Sequence, residues 1–250
     1  MYRYSAITKS GSHKKNEDRV LVHGTILDRG VIEGECENEC VAMICDGVGK
    51  DKGGDLAAEC TVNHFINVNT ADLSPRNLIK TTRDINKEIY QKQQESQLQS
   101  TMATTATGTF LYNNHYLIFH IGDSRLYMFT KEDGLILLTQ DHTSFEDPMF
   151  KHAHFEESLS SEVKNTLTRY LSGSGKSALP DIKRGTLLQD SGLLFLCSDG
   201  VYKSISQKRL AMLLEECEDP LITQDIMIQE AEDNGSMDDK SIVLIKYSLE

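Results

Sequence analysis

Along the chain, short apolar runs repeatedly stop at an acid. Val41-Ala42-Met43-Ile44-Cys45 ends at Asp46, and a loop holding Gly47, Gly49, Gly53 and Gly54 follows. The design recurs at Asp123 in HIGDSR, at Asp199 in LLFLCSDG and, before the apolar run, at Asp238 in NGSMDDKSIVLI. Glu17-Asp18 stand before a fifth run in KKNEDRV. Runs this short, bounded by turn residues, predict buried strands. A carboxylate fixed at the end of such a strand is costly unless a cation or donor faces it.

The remaining pattern alternates strand blocks with helix blocks. Tyr2–Thr8 alternates as an outer strand does, and Gly11–Asn16 is a polar turn. Arg19–His23 and Val41–Cys45 predict strands, and a helix is expected from about Gly54-Asp55 to about Val68. Ser74-Pro75 is a strong helix start, an N-cap followed by proline in the first turn. The apolar positions Leu78, Thr82, Ile85 and Ile89 then recur at helical spacing. From Ala106 the period becomes two. Ala106–Tyr112 and His115–Ile121 flank Asn113-Asn114, and Leu126–Thr130 and Leu135–Leu138 flank Asp133-Gly134, which are two hairpin signals. Residues 141–162 lack a period and predict a surface loop or flap. Leu193–Cys197 and Ser241–Tyr247 predict strands, and Gln207–Cys217 and Leu221–Asp233 predict helices. Strands and helices in separate runs, without a repeat or a linker, point to one α+β layered domain over residues 1–250.

Composition narrows the function classes. A net charge of −12 disfavours nucleic acid and anionic membrane as partners. No apolar run has the length of a membrane span, and MYRYSAITKS lacks a signal-peptide core, so the expected location is the cytoplasm. Leu249-Glu250 reads as a cloning remnant. Cys45, Cys60, Cys197 and Cys217 lie in apolar stretches as small core residues. Cys36 and Cys40 form a C-x₃-C pair with no second pair nearby, which supports a zinc site poorly and leaves two reduced thiols or a redox pair.

A single acid after a strand is a turn cap as readily as a ligand. Five in this pattern, brought together by a sheet, would repel one another unless cations lay between them. Hard divalent ions, Mg²⁺ or Mn²⁺, suit a site of carboxylates and water.

Seven motifs in order carry a resemblance: Asn16-Glu17-Asp18, Asp46-Gly47-Val48-Gly49, Met102-Ala103-Thr104-Thr105, Gly122-Asp123-Ser124-Arg125, Leu138–Thr143, Ser198-Asp199-Gly200 and Gly235–Asp239. Together they span nearly the whole chain. The sequence resembles the metal-dependent type 2C protein serine/threonine phosphatases, bacterial members in particular. The resemblance implies a four-layer αββα sandwich of two antiparallel sheets flanked by helices. It implies two Mn²⁺ or Mg²⁺ ions, with Asp46 bridging them, the Gly47 carbonyl on one, and Asp199 and Asp238 on the other. Glu17 and Asp18 would hold metal-bound waters, and Asp123 with Asp199 would hold a weaker third ion. The implied reaction is hydrolysis of phosphoserine and phosphothreonine on proteins by a metal-bridged hydroxide, with no covalent phosphoenzyme. The implied partners are phosphoproteins made by a Ser/Thr kinase, and nothing demands more than a monomer.

Departures from the family pattern fall around the phosphate. His13, followed by Lys14 and Lys15, stands where an arginine usually grips it. Histidine is mostly neutral above pH 7, so the grip weakens unless Lys14 substitutes. Val48 stands where many eukaryotic members carry a histidine, Asp239 replaces an asparagine, and Ala103 replaces a glycine. Two other classes stay open: a catalytically weak phosphatase-like module that binds phosphoproteins, and a different two-metal hydrolase such as a nuclease.

Overall fold

A computed structural model describes residues 1–12, 15–48, 53–70, 73–96, 102–146, 166–174 and 178–249. The strands, in chain order, begin with β1 (Tyr2–Lys9), β2 (Arg19–Val22), β3 (Thr25–Leu27), β4 (Gly30–Cys36), β5 (Glu39–Cys45) and β6 (Gly47–Val48). They continue with β7 (Ala103–Thr104), β8 (Ala106–Tyr112), β9 (His115–Ile121), β10 (Arg125–Thr130) and β11 (Gly134–Leu137). The last are β12 (Leu171–Ser172), β13 (Asp181–Thr186), β14 (Ser191–Cys197) and β15 (Lys240–Ser248). The helices are α1 (Gly54–Asn63), α2 (Pro75–Ser96), α3 (Asp199–Tyr202), α4 (Gln207–Glu215) and α5 (Pro220–Asp233).

Two six-stranded sheets carry the architecture, in the orders β11-β10-β14-β15-β1-β4 and β13-β9-β8-β5-β2-β3, and a three-stranded sheet β12-β7-β6 packs beside α1 and α2. All the strand pairs are antiparallel. Because side chains alternate along a strand, each central strand feeds two layers. Ala42 and Ile44 of β5 face the other sheet, whereas Met43 and Cys45 face α1 and α2. Val243 and Ile245 of β15 enter the space between the sheets, and Ile242 and Leu244 meet α4 and α5. The result is the expected αββα sandwich with three apolar layers.

The helices follow their local signals. In α2, Leu78, Thr82, Ile85 and Ile89 are buried as their spacing predicts, and Ser74 Oγ accepts from the Asn77 N–H at 3.2 Å. Asp219 caps α5 by accepting from the Leu221 N–H, with Pro220 in the first turn. Both hairpins form. Asn113 and Asn114 take φ of 45° and 64°, the left-handed pair of a tight two-residue turn.

Three expectations are corrected. β1 is not an outer strand: it lies between β15 and β4, and its alternation arises because its two faces meet different layers. The helix expected to reach about Val68 ends at Asn63. The surface loop expected over 141–162 is packed where it starts, since His142, Thr143 and Ser144 are buried and Thr143 bridges to Leu167. Residues 147–162 lie outside the described residues, as do His13 and Lys14.

All six cysteines are free and buried, Cys36 and Cys40 between the sheets. Leu249 is also engaged, its N–H donating to the Asp190 carbonyl. Phe119 shows how the outer layer is held: it is fully buried on β9, its ring 5.3 Å from that of Phe65 just beyond α1. Phe119→Ala should cost about 3–5 kcal/mol through lost burial and an unfilled cavity. Urea unfolding measures this, and a loss below about 1 kcal/mol would mean that α1 closes over the gap.

Candidate active site

Strand register gathers the acids at one end of the sandwich. Arg19 pairs with Cys45, so Asp18 and Asp46 stand side by side at the ends of β2 and β5. Cys197 pairs with both Arg125 and Ile242, which brings together the Asp123 turn, Asp199 at the start of α3, and Asp238 just before β15. Thr105 and Ser124 join the two sheets at this end. The Asp46 N–H donates to Thr105 Oγ1 at 3.0 Å, its carbonyl accepts from the Thr105 N–H at 2.8 Å, and Thr105 Oγ1 meets Ser124 Oγ at 2.8 Å.

Glycine is required at two places here. Gly122 has φ of +112°, and a Cβ there would fall 2.5 Å from Thr105 Cβ, so only glycine lets the Asp123 turn lie against Thr105. A Cβ on Gly47 would fall 2.5 Å from the Gly54 carbonyl carbon, which allows β6 to touch the start of α1. The Asp123 turn is braced from behind. The Gly122 N–H donates to His142 Nδ1 at 3.1 Å, the His142 N–H donates to the Gly122 carbonyl, and His142 Nε2 reaches Asp181 Oδ2 at 3.2 Å.

Asp18 receives a directed chain of hydrogen bonds. Asn16 Nδ2 donates to Thr8 Oγ1 at 2.8 Å, the Thr8 and Ser241 hydroxyls meet at 2.7 Å, and Ser241 Oγ donates to Asp18 Oδ2 at 2.6 Å. Asp18 Oδ1 is buried with no hydrogen-bond partner among the described residues. Asp239 is more than a turn residue. Its carboxylate accepts from the Gly11 N–H at 2.8 Å and the Glu17 N–H at 2.6 Å, fastening the 11–17 segment on both sides of His13. Lys15 is committed to Asp55 at the start of α1.

The electrostatics demand cations. Burial, followed by the Asp18, Asp199, Asp123 and Asp238 charges, holds the Asp46 carboxyl well above the usual carboxylate range, although its side chain keeps a partial opening to solvent. Burial first, with Asp239 and Asp199, pushes Asp18 up to about 8, and burial and Asp199 push Asp123 up to about 7. Asp238 is raised in the same way, though it is exposed by surface area; crowding by neighbouring acids matters more there than lost water contact. Among the described residues, the cation nearest these acids is Lys203, whose Nζ lies 2.5 Å from Asp199 Oδ2 and 3.7 Å from Asp123 Oδ2.

The donor set is hard oxygen throughout, and the crowded acids with the unpartnered Asp18 Oδ1 fit divalent cations. No three His, Cys, Asp or Glu side chains among the described residues converge into a closed chelating group.

Sequence reasoning placed Asp46, Asp123, Asp199, Asp238, Glu17, Asp18 and Gly47, and the described geometry brings these elements to the same end. It missed the joining residues. Lys203 had a signal in its i,i+4 spacing from Asp199 at a helix start. The reach of Asp239 to Gly11 and Glu17 crosses more than 220 residues and has no local signal.

The comparisons agree with this geometry. A sequence profile of protein phosphatase 2C matches residues 28–230. The serine/threonine phosphatase stp of Listeria monocytogenes is 26% identical over 240 residues, covering 93% of this chain and 94% of that one. A serine/threonine phosphatase of S. agalactiae superposes with a TM-score of 0.82 at 22% identity, with both chains fully covered. The catalytic domain of the phosphatase PstP, solved in complex with two manganese ions, superposes at 0.74 with 22% identity, covering 98% of this chain and 97% of that one. With the matching profile spanning most of its length, the chain belongs to the protein phosphatase 2C family.

Proposed function

We propose that the chain is a metal-dependent protein phosphatase that hydrolyses phosphoserine and phosphothreonine esters, and that residues 1–250 form one catalytic domain. The observation that carries this reading is the set of crowded, charge-deficient acids at one end of the sandwich. Divalent cations bound there supply a water of lowered pKa and positive charge for the phosphoryl group. In this proposal Asp46, the Gly47 carbonyl, Asp199 and Asp238 would hold two ions, Mn²⁺ or Mg²⁺, with Asp46 shared between them. Asp123 and Asp199 make a weaker third site. Glu17 and Asp18 hold waters in place, and Asp18 Oδ1 has an open acceptor for one. His13 and Lys14 hold the substrate phosphate.

Hydrolysis without a phosphocysteine intermediate is supported by the thiols, since all six cysteines are buried and none is exposed as a nucleophile. The substrates would be proteins phosphorylated by a Ser/Thr kinase, met by a monomer in the cytoplasm. No helix among the described residues is long and apolar enough to cross a membrane. The net charge of −12 speaks against a nucleic-acid substrate. A catalytically weak binding module is not favoured, because such a module has no need of so many mutually repelling acids.

The test is phosphate release from a panel of phosphoserine and phosphothreonine peptides. Mn²⁺ should support turnover and EDTA should abolish it. No release from any peptide with Mn²⁺ present would overturn the reading, as would cleavage of DNA in its place. His13→Arg should lower KM several-fold above pH 7, because arginine stays charged and forks onto phosphate where histidine is neutral. An unchanged KM would remove His13 from the phosphate contact.

A further inference from the structure

Lys203 lies one helical turn beyond Asp199. The helical hydrogen bond from its N–H to the Asp199 carbonyl at 3.0 Å keeps the i,i+4 spacing that puts the two side chains on one face. Its ammonium therefore lies against Asp199 Oδ2 at 2.5 Å and 3.7 Å from Asp123 Oδ2. No other Lys, Arg or His nitrogen among the described residues is within 4.0 Å of either carboxylate. The neighbouring guanidinium is committed elsewhere: Arg125 forks onto Asp141 at 2.8 and 3.0 Å and stacks over the Tyr202 ring at 3.7 Å. Asp123 itself is buried, so its charge has little water to rely on. The Lys203 side chain is 42% exposed, and its four-carbon stem can swing outward without opening the core.

We propose that Lys203 is a built-in counter-cation for the Asp123–Asp199 pair, and that its tethered ammonium competes with a third divalent ion for that place. The proposal rests on the assignment of a third ion to Asp123. A divalent ion entering there must displace the ammonium from Asp199. Tethering keeps the competitor at high local concentration, so the third ion binds weakly while Lys203 is present. Among the described residues no Lys, Arg or His nitrogen lies within 4.0 Å of the Asp46 carboxylate, so the contacts of Lys203 fall on the Asp123–Asp199 pair. Lys203 is thus a residue that sets how many metal ions the site takes, and it acts on chemistry only through Asp123 and Asp199.

The experiment is Mn²⁺ titration of the full chain at pH 7.5, with free Mn²⁺ read by its EPR signal and Tm recorded as a folding control. The wild-type chain should hold two ions tightly and a third weakly. In Lys203→Gln the third should tighten about tenfold, the effect of removing a tethered competitor. Adding Asp123→Asn to that variant should abolish the third ion and leave the first two. Identical isotherms for the wild type and Lys203→Gln, with the third ion lost in Asp123→Asn, would overturn the role of Lys203 while the Asp123 assignment stood. A third ion indifferent to both substitutions would overturn both. A raised phosphopeptide KM in Lys203→Gln with an unchanged isotherm would also overturn the proposal, by making Lys203 a substrate contact.

Discussion

Asp46→Asn is expected to lower kcat by about 10³-fold or more, roughly 4 kcal/mol of barrier, while raising the Tm of the metal-free protein. Both effects follow from one carboxylate. The substitution is nearly isosteric, and the backbone contacts to Thr104 and Thr105 do not involve the side chain. What is lost is a carboxyl whose pKa is held well above the ordinary range by burial and by Asp18, Asp199, Asp123 and Asp238. Without a cation its ionisation opposes folding, so removing it should stabilise; on the proposed assignment it would help hold the ions, so removing it should halt turnover. Steady-state kcat with saturating Mn²⁺ and a thermal melt in EDTA read the two effects separately. An unchanged kcat would take Asp46 out of the reaction centre. A lower Tm in EDTA would make its carboxylate a structural group instead.

Buried central strands announce themselves because both faces are apolar, as in β5 and β14. The acids that terminate them stand out against that background. Amphipathic α2 and both hairpins carry their own local chemistry in a proline start and in Asn-Asn and Asp-Gly turns. Edge strands carried much less. β4 alternates exposed and half-buried positions and contains two glycines, and β13 carries charge at Asp181, Lys183 and Arg184, so neither showed a strand pattern. β6, β7 and β12 are two residues each, too short for any period.

The same division holds within the site. Residues that present charge at strand ends were readable, and residues that bind one loop to another were not. Asp239 read only as a replacement for an asparagine, yet it fastens the backbone on both sides of His13. Asn16 read as one letter of a motif, yet it starts the hydroxyl chain that ends on Asp18. His142 read as part of a surface loop, yet it is buried behind the Asp123 turn. Each depends on strand register between distant segments, which a one-dimensional pattern does not contain.

The metal-free protein should lose stability as pH rises from about 4 to about 8, and Mn²⁺ should restore it most strongly at the upper end. Asp18 and Asp123 are raised from 3.8 to about 8 and about 7 in the folded chain. Between the unfolded and folded values the native state holds protons that the unfolded chain has released. Their contribution to stability is therefore complete below about pH 4 and vanishes as pH climbs through the folded values, the reverse of an acid stabilised by a salt bridge. A net loss of about 3 kcal/mol over this range would lower Tm by about 10 °C for a chain of this size. Divalent cations take the place of those protons, so binding should release protons and should be weak at pH 5. Melts at pH 5, 6, 7 and 8, each in EDTA and in Mn²⁺, measure the gap in Tm. The gap should widen with pH by about 10 °C, and Asp18→Asn should flatten the EDTA series. A gap of constant size would mean that these acids do not titrate in that window, and the charge-deficient site would lose its electrostatic basis.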